Sequence, residues 1–165
     1  MQAALREMND VIEEGGWDQP SSLWAVTRDI NQDGFILMFE QILGGDIFTG
    51  EHPTDTLAAV ADAAERVRPP VGDNLFAFAF VSEAWMVMRE DIAGTVEPRR
   101  FHEHPARLEV RTIGAVDIAG FRYLHTFTRG SGVRHVASHR RNEKAEMMAE
   151  GFVIESLERL VEATL

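Results

Sequence analysis

The densest apolar run of the chain, LFAFAFVSEAWMVM over residues 75–88, alternates with a period of two. Phe76, Phe78, Phe80, Ala84, Met86 and Met88 fall on one side, and Leu75, Ala77, Ala79, Val81, Glu83, Trp85 and Val87 on the other. Both sides are apolar, which predicts a central strand covered on both faces. Glu83 is then a lone carboxylate in an apolar strand. A charge buried there costs several kcal/mol unless it is paired, protonated or at an open edge, and a partner is expected for it.

Residues 107–117 alternate differently. Leu108, Val110, Thr112, Gly114 and Val116 oppose Arg107, Glu109, Arg111 and Asp117, the signature of a half-exposed strand. A turn over Asp117 to Gly120 leads into 121–128, where Phe121, Tyr123, His125 and Phe127 oppose Arg122, Leu124, Thr126 and Thr128. The GSG at 130–132 then returns the chain through VRHVASH, 133–139. SSLWAVT (21–27), just after Pro20, suits a fifth strand. DINQDG (29–34) has turn chemistry, and FILMFEQIL (35–43) is too apolar for the surface and is assigned to the core without a regular element.

Three segments carry helical spacing. Residues 3–14 set Leu5, Met8 and Ile12 on one face and stop at Gly15–Gly16. From Thr54, a candidate N-cap, Leu57, Val60, Ala64 and Val67 share a face until Pro69–Pro70, with His52 supporting the cap region. Asn142 can cap a long final helix to 164, with Met148, Phe152, Ile154, Leu157, Leu160 and Val161 as its apolar stripe. The expected fold is α+β. It is a single domain over 1–165, an antiparallel sheet of about five strands with two short helices and a long C-terminal helix packed on it. No internal repeat or low-complexity tract is present.

Composition narrows the chemistry. There is no cysteine among the 165 residues, which excludes disulfides, thiolate metal sites and thiol nucleophiles and fits a reducing, cytoplasmic setting. The opening MQAALREMNDVIEEGG is charged every few residues, so neither a signal peptide nor a membrane anchor is expected there. A net charge of −11 opposes polyanions, so neither nucleic acid nor a membrane surface is an expected partner. The local basic clusters, Arg99–Arg100 and Arg134 to Arg141, read as solvated strand ends. Lys144 is the single lysine against fifteen arginines, which points to a GC-rich genome rather than to a mechanism.

Candidate metal ligands are the histidines. His102 and His104 form an H-x-H pair that would share one side of an extended strand, and His125 and His135 would lie diagonally on one face of the last hairpin. Proline at 105 favours a loop that enters a strand instead. The spacing Asp29, Asn31, Asp33, Gly34 and Glu40 matches part of a calcium loop without its helical flanks. Ser82 lacks the glycines of a nucleophile elbow, and no glycine cluster fits a phosphate loop. Glu83 and Glu109 would suit acid/base work if strand pairing joined them. Trp17, Trp24 and Trp85 read as core or edge anchors, and no cofactor is expected.

The stretches GWDQPSSLWAVT, AFVSEAWMV, HEHPARLEVRTIGAVDIAG and ESLERLVEATL resemble a family of small actinobacterial proteins without an assigned activity. In that family a Trp-Asp-Gln-Pro box precedes a strand. A second box, here His104, Pro105, Arg107, Glu109 and Val110, opens a later one, and Arg107 with Glu109 would make a surface ion pair. DINQDGFILMFEQIL and RHVASHRRNEK have no counterpart in it. The resemblance implies origin and fold, with an actinophage relative fitting equally, and it carries no activity. The expected function is a non-enzymatic, chaperone-like adaptor of homo-oligomeric form. Trp17, Asp18, Glu83, Trp85, Arg107 and Glu109 are its candidate interaction residues. The alternatives are a metal-dependent enzyme built on His102 and His104, and a phage accessory protein acting on a host protein.

Overall fold

The computed structural model describes residues 1–31, 34–49, 52–66, 72, 74–87, 98–131, 134–140 and 152–165, apart from the side chains of residues 31, 98–100, 134 and 135. Expectations for Val67, Pro69–Pro70, Met88, Asn142, Lys144, Met148 and the side chains of the two basic clusters, Arg140 excepted, lie outside that set. The elements run α1 (Gln2–Glu14), β1 (Ser22–Asn31), β2 (Gly34–Leu43), α2 (Pro53–Ala64), β3 (Leu75–Met86), a 3-10 helix (Pro98–Glu103), β4 (Leu108–Asp117), β5 (Phe121–Thr128), β6 (Arg134–Arg140) and α3 (Phe152–Thr164).

All strand pairs are antiparallel, and the six strands lie in the order β2-β1-β3-β4-β5-β6. The α+β class therefore holds, with six strands where about five were expected. The additional one is β2. FILMFEQIL is core only in part: β2 is an edge strand paired, among the described residues, with β1 alone; Leu37, Phe39 and Leu43 pack against the core, whereas Phe35, Ile36, Met38 and Ile42 are 63, 50, 55 and 37% exposed. Apolarity alone cannot tell an edge strand from a core one, because position in a sheet is set by pairing with distant segments. The described part of α3 spans 13 residues, no longer than α1, and 142–151 lies outside the described residues.

The central strand β3 is covered on both faces. On one side, Phe78 and Phe80 join Leu23, Ala25 and Val116 beneath Leu57 and Ala61 of α2 and Ile154, Leu157 and Leu160 of α3. On the other, Ala77, Ala79 and Val81 join Val26, Ile113, Ala115, Tyr123 and Phe127 beneath Leu5 and Met8 of α1. A register shift against β1 between Val26 and Thr27 moves Phe76 to the α1 side and Leu75 to the α2/α3 side, out of simple alternation. Gly114 has a packing role: a Cβ there would stand 3.0 Å from Val153 Cγ1, so glycine lets α3 lie close on β4.

β4 is not half-exposed. Arg111 and Asp117 are buried together with Ile113 and Ala115 on the face that alternation made polar, where α1 lies over Ile113 and Ala115 and the segment after it, Gly16 and Trp17, lies against Arg111. Asp117 is satisfied locally. Its Oδ1 accepts from the amides of Ala119 and Phe121, both at 2.9 Å, and its Oδ2 accepts from the Tyr123 hydroxyl at 2.8 Å. Arg122 grips Glu158 of α3 through two bonds of 2.8 and 2.9 Å, and Arg159 joins α3 to Asp62 and Glu65 at the end of α2. α2 begins at Pro53 with His52 at the N-cap position, not Thr54, because proline is preorganised for the first helical turn. No helix among the described residues is long and apolar enough to cross a membrane.

Tyr123 is the only tyrosine of the chain, so its titration can be read alone. Burial first, and then the hydrogen bond to Asp117, raise its pKa above the ordinary value of 10.0. The folded protein thus holds the phenol neutral where the unfolded chain ionises it. Stability is full below about pH 10 and falls as pH rises, by roughly 1.4 kcal/mol per unit for one proton. Tyrosinate absorbance is expected to appear only together with unfolding, and Tyr123→Phe is expected to remove that part of the alkaline slope. A simple titration near pH 10 in the folded state would contradict the burial.

Candidate functional site

A group of charged side chains gathers at one end of the sheet, and the register explains how. Pairing of β3 with β4 sets Val81 opposite Ile113, Glu83 opposite Arg111 and Trp85 opposite Glu109. Arg129 follows β5, its amide donating to the Glu109 carbonyl at 2.9 Å. Side chains alternate in a strand, so Glu83 and Arg111 share the α1 face with Val81 and Ile113. Helix α1 stops at Glu14. The chain then reverses through Gly16 at φ +82° and Asp18 at φ +67°, and residues 15–20 lie over the exposed rows as a strap.

Arg111 has no exposed surface. Its Nε and Nη2 donate to Glu83 Oε1 at 3.0 and 2.8 Å, and Nη2 donates also to the Gly16 carbonyl at 2.6 Å. Glu83 Oε2 accepts from the amides of Asp18 at 2.7 Å and Gln19 at 3.3 Å. Trp17 lies against two guanidinium groups, Arg111 at 4.7 Å and Arg129 at 5.6 Å from its ring centre. Arg129 donates to Glu109 Oε2 at 2.8 Å and reaches Asp18 Oδ2 at 3.4 Å. The Glu109 hydrogen bond raises the Arg129 pKa above its ordinary value.

Oxygens of Asp18, Glu83 and Glu109 all lie within 4.8 Å of one another, the one such group of potential metal donors among the described residues. Hard cations favour such oxygen sets. Here, however, each carboxylate already serves an arginine, and Glu83 serves two backbone amides as well. The arrangement, two guanidinium groups among three carboxylates, is a clamp that fastens the strap to the sheet. A cleft of about 490 Å³ opens beside it, walled by Pro20, Phe48, Thr49 and Trp85 along with Asp18 and Glu109.

The structure gathers Trp17, Asp18, Glu83, Trp85, Arg107 and Glu109 at this end of the sheet. It does not join Arg107 to Glu109 as expected. Glu109 pairs with Arg129, while Arg107 lies over the Trp85 ring at 5.1 Å and donates to the His104 carbonyl at 3.4 Å. Two residues that sequence reasoning did not single out, Arg111 and Arg129, hold the cluster together. The signal for Arg111 was indirect, since a carboxylate in an apolar strand called for a partner from somewhere.

The histidines are scattered. His102 belongs to the 3-10 helix and His104 follows it, so the H-x-H spacing does not fall on an extended strand. With three residues per turn, positions two apart point different ways. His104 Nδ1 accepts from the Ala106 amide at 3.2 Å, fixing the entry to β4. His125 is buried in β5 opposite Val136, whereas position 135 pairs with Thr126, so the register sets the two positions out of phase. The calcium spacing also dissolves. Asp29 pairs with Ile36 and Glu40 with Ala25, four residues apart along the hairpin and about 13 Å by strand rise.

The chain matches no protein-family model, and searches of curated proteins and of solved structures find no match either.

Removing one partner of a buried pair leaves the other charge unmatched. Glu83→Gln is therefore expected to cost about 3–5 kcal/mol in urea unfolding. A loss below 1 kcal/mol would mean that the pair is solvated. Because the three carboxylates are engaged, adding millimolar calcium or EDTA is expected to leave the melting temperature unchanged. A saturable rise with calcium would show that the cluster opens to bind it.

Proposed function

We propose that this chain is a protein-interaction module that takes its partner along the β2 edge of the sheet. One observation carries the reading. β2 is a ten-residue edge strand on which Phe35, Ile36, Met38 and Ile42 expose large apolar surface, and Ile30 of the adjoining β1 adds 74% of its own. Apolar surface gathered along one sheet edge marks an interaction site in a chain that otherwise carries abundant charge. The clamp around Arg111 supports the same reading from the other side, because its charged groups are spent on one another and on backbone. An acidic, cysteine-free composition fits an adaptor that acts in the cytoplasm.

The test is a variant that carries both Met38→Lys and Ile42→Lys. Both side chains already face solvent, so its melting curve is expected to stay within a few degrees of the unaltered protein. Affinity capture from the source cell at native expression is expected to recover a stoichiometric partner with the unaltered chain and to lose it with the variant. Equal recovery by the two would remove β2 from the binding surface.

A further inference from the structure

Resting on the reading of β2 as the binding edge, we infer that its occupant is a second copy of this chain. The two β2 strands run antiparallel about a twofold axis at Met38 and join two six-stranded sheets into one. The first argument is backbone. β2 pairs with β1 on one side and with no strand among the described residues on the other, so outward N–H and C=O groups repeat along ten residues. Edge strands are ordinarily blunted by lysine, proline or inward charge. GFILMFEQIL contains neither lysine nor proline, and its single charge is Glu40.

The second argument is self-complementarity. A twofold pair brings each position opposite the one equally far from the axis, which sets Met38 against Met38, Ile36 against Glu40 and Ile42 against Gly34. The two Glu40 side chains are thereby kept apart. A different register, centred at Glu40, would put like charges directly opposite, which is destabilising. A cationic peptide would find only that one carboxylate along the strand, so charge does not favour it over a second copy.

The third argument is area. The exposed side chains flank the edge on both faces, Ile36, Met38 and Ile42 on the α2 side and Ile30 and Phe35 on the other, and together present on the order of 500 Å² of apolar surface. Adding the open backbone edge brings the surface towards the roughly 800 Å² per partner of a standard interface. An apolar cleft of about 830 Å³ opens alongside, between β2 and α2, with Met38, Ile42, Val60 and Ala63 in its walls. The net charge of −11 opposes association at low ionic strength, but the screening length is only about 8 Å at physiological salt. The pairing therefore tightens as salt rises, whereas attraction to a basic partner would weaken.

Sedimentation velocity of the purified full chain over a concentration series at two salt levels tests this, together with hydrogen exchange of the β2 amides. A monomer–dimer equilibrium that strengthens with salt is expected, with β2 amides protected in the dimer. Register is read by two substitutions at one exposed position. Ile36→Lys faces Glu40 of the other copy and is expected to retain the dimer. Ile36→Glu faces the same carboxylate and is expected to weaken it at least tenfold, with circular dichroism unchanged for both. A monomer at every concentration, or a dimer indifferent to Ile36→Glu, overturns the inference. If that monomer still loses its captured partner in the β2 double-lysine variant, the interaction reading stands and only the self-pairing falls.

Discussion

Glu83 and Arg111 can be buried only together. A carboxylate in a central apolar strand and a guanidinium without exposed surface would each be costly alone, and in a low-dielectric interior their attraction is large only when the remaining donors and acceptors are also met. Meeting most of them draws in the backbone of the strap, while the buried Arg111 Nη1 finds no hydrogen-bond partner among the described residues. The Gly16 carbonyl goes to Arg111, and the amides of Asp18 and Gln19 go to Glu83. The path of residues 15–20, the left-handed conformation of Asp18 and the placing of Trp17 against two arginines follow from that requirement. Since the strap continues α1, the pair also sets where that helix must end over the sheet.

The remaining architecture is a matter of coverage. A helix is about 10 Å across and strands are spaced about 4.8 Å apart, so two helices cover roughly four strands of a face and a single helix about two. Helices α2 and α3 lie over the middle of one face and α1 over the other, fastened by Arg122–Glu158 and by Arg159 with its two carboxylates. Six strands exceed that width. The strand left at the margin, β2, is also among the most apolar of them, and this mismatch between coverage and composition leaves large apolar side chains exposed along it. The charged end of the sheet, by contrast, is closed on itself.

Much of this was legible in local patterns. The period of two placed Phe78 and Phe80 opposite Ala77, Ala79 and Val81, and two core clusters occupy those two sides. Helical spacing and the Gly15–Gly16 stop located α1, and the Asp117 to Gly120 turn appears with its side-chain caps. The apolar FILMFEQIL was misplaced in part, and Arg111 was taken for a surface residue, because burial of either depends on what pairs beside it or packs above it. The histidines were misleading for the same reason. An H-x-H spacing means one thing on a strand and another on a 3-10 helix, and the hairpin register set His125 and His135 out of phase.

By itself the sequence determined the α+β class, most of the described helices and strands, and the expectation of a partner for Glu83. Each of these is written within a few residues, in alternation, spacing and turn chemistry. Only the tertiary structure decided that the partner is Arg111, 28 positions away, that Arg129 completes the clamp, and that β2 lies outermost. Strand order and register are choices between distant segments. They are settled by which pairings bury the most apolar surface while leaving no charge unmatched, and no local pattern encodes that balance.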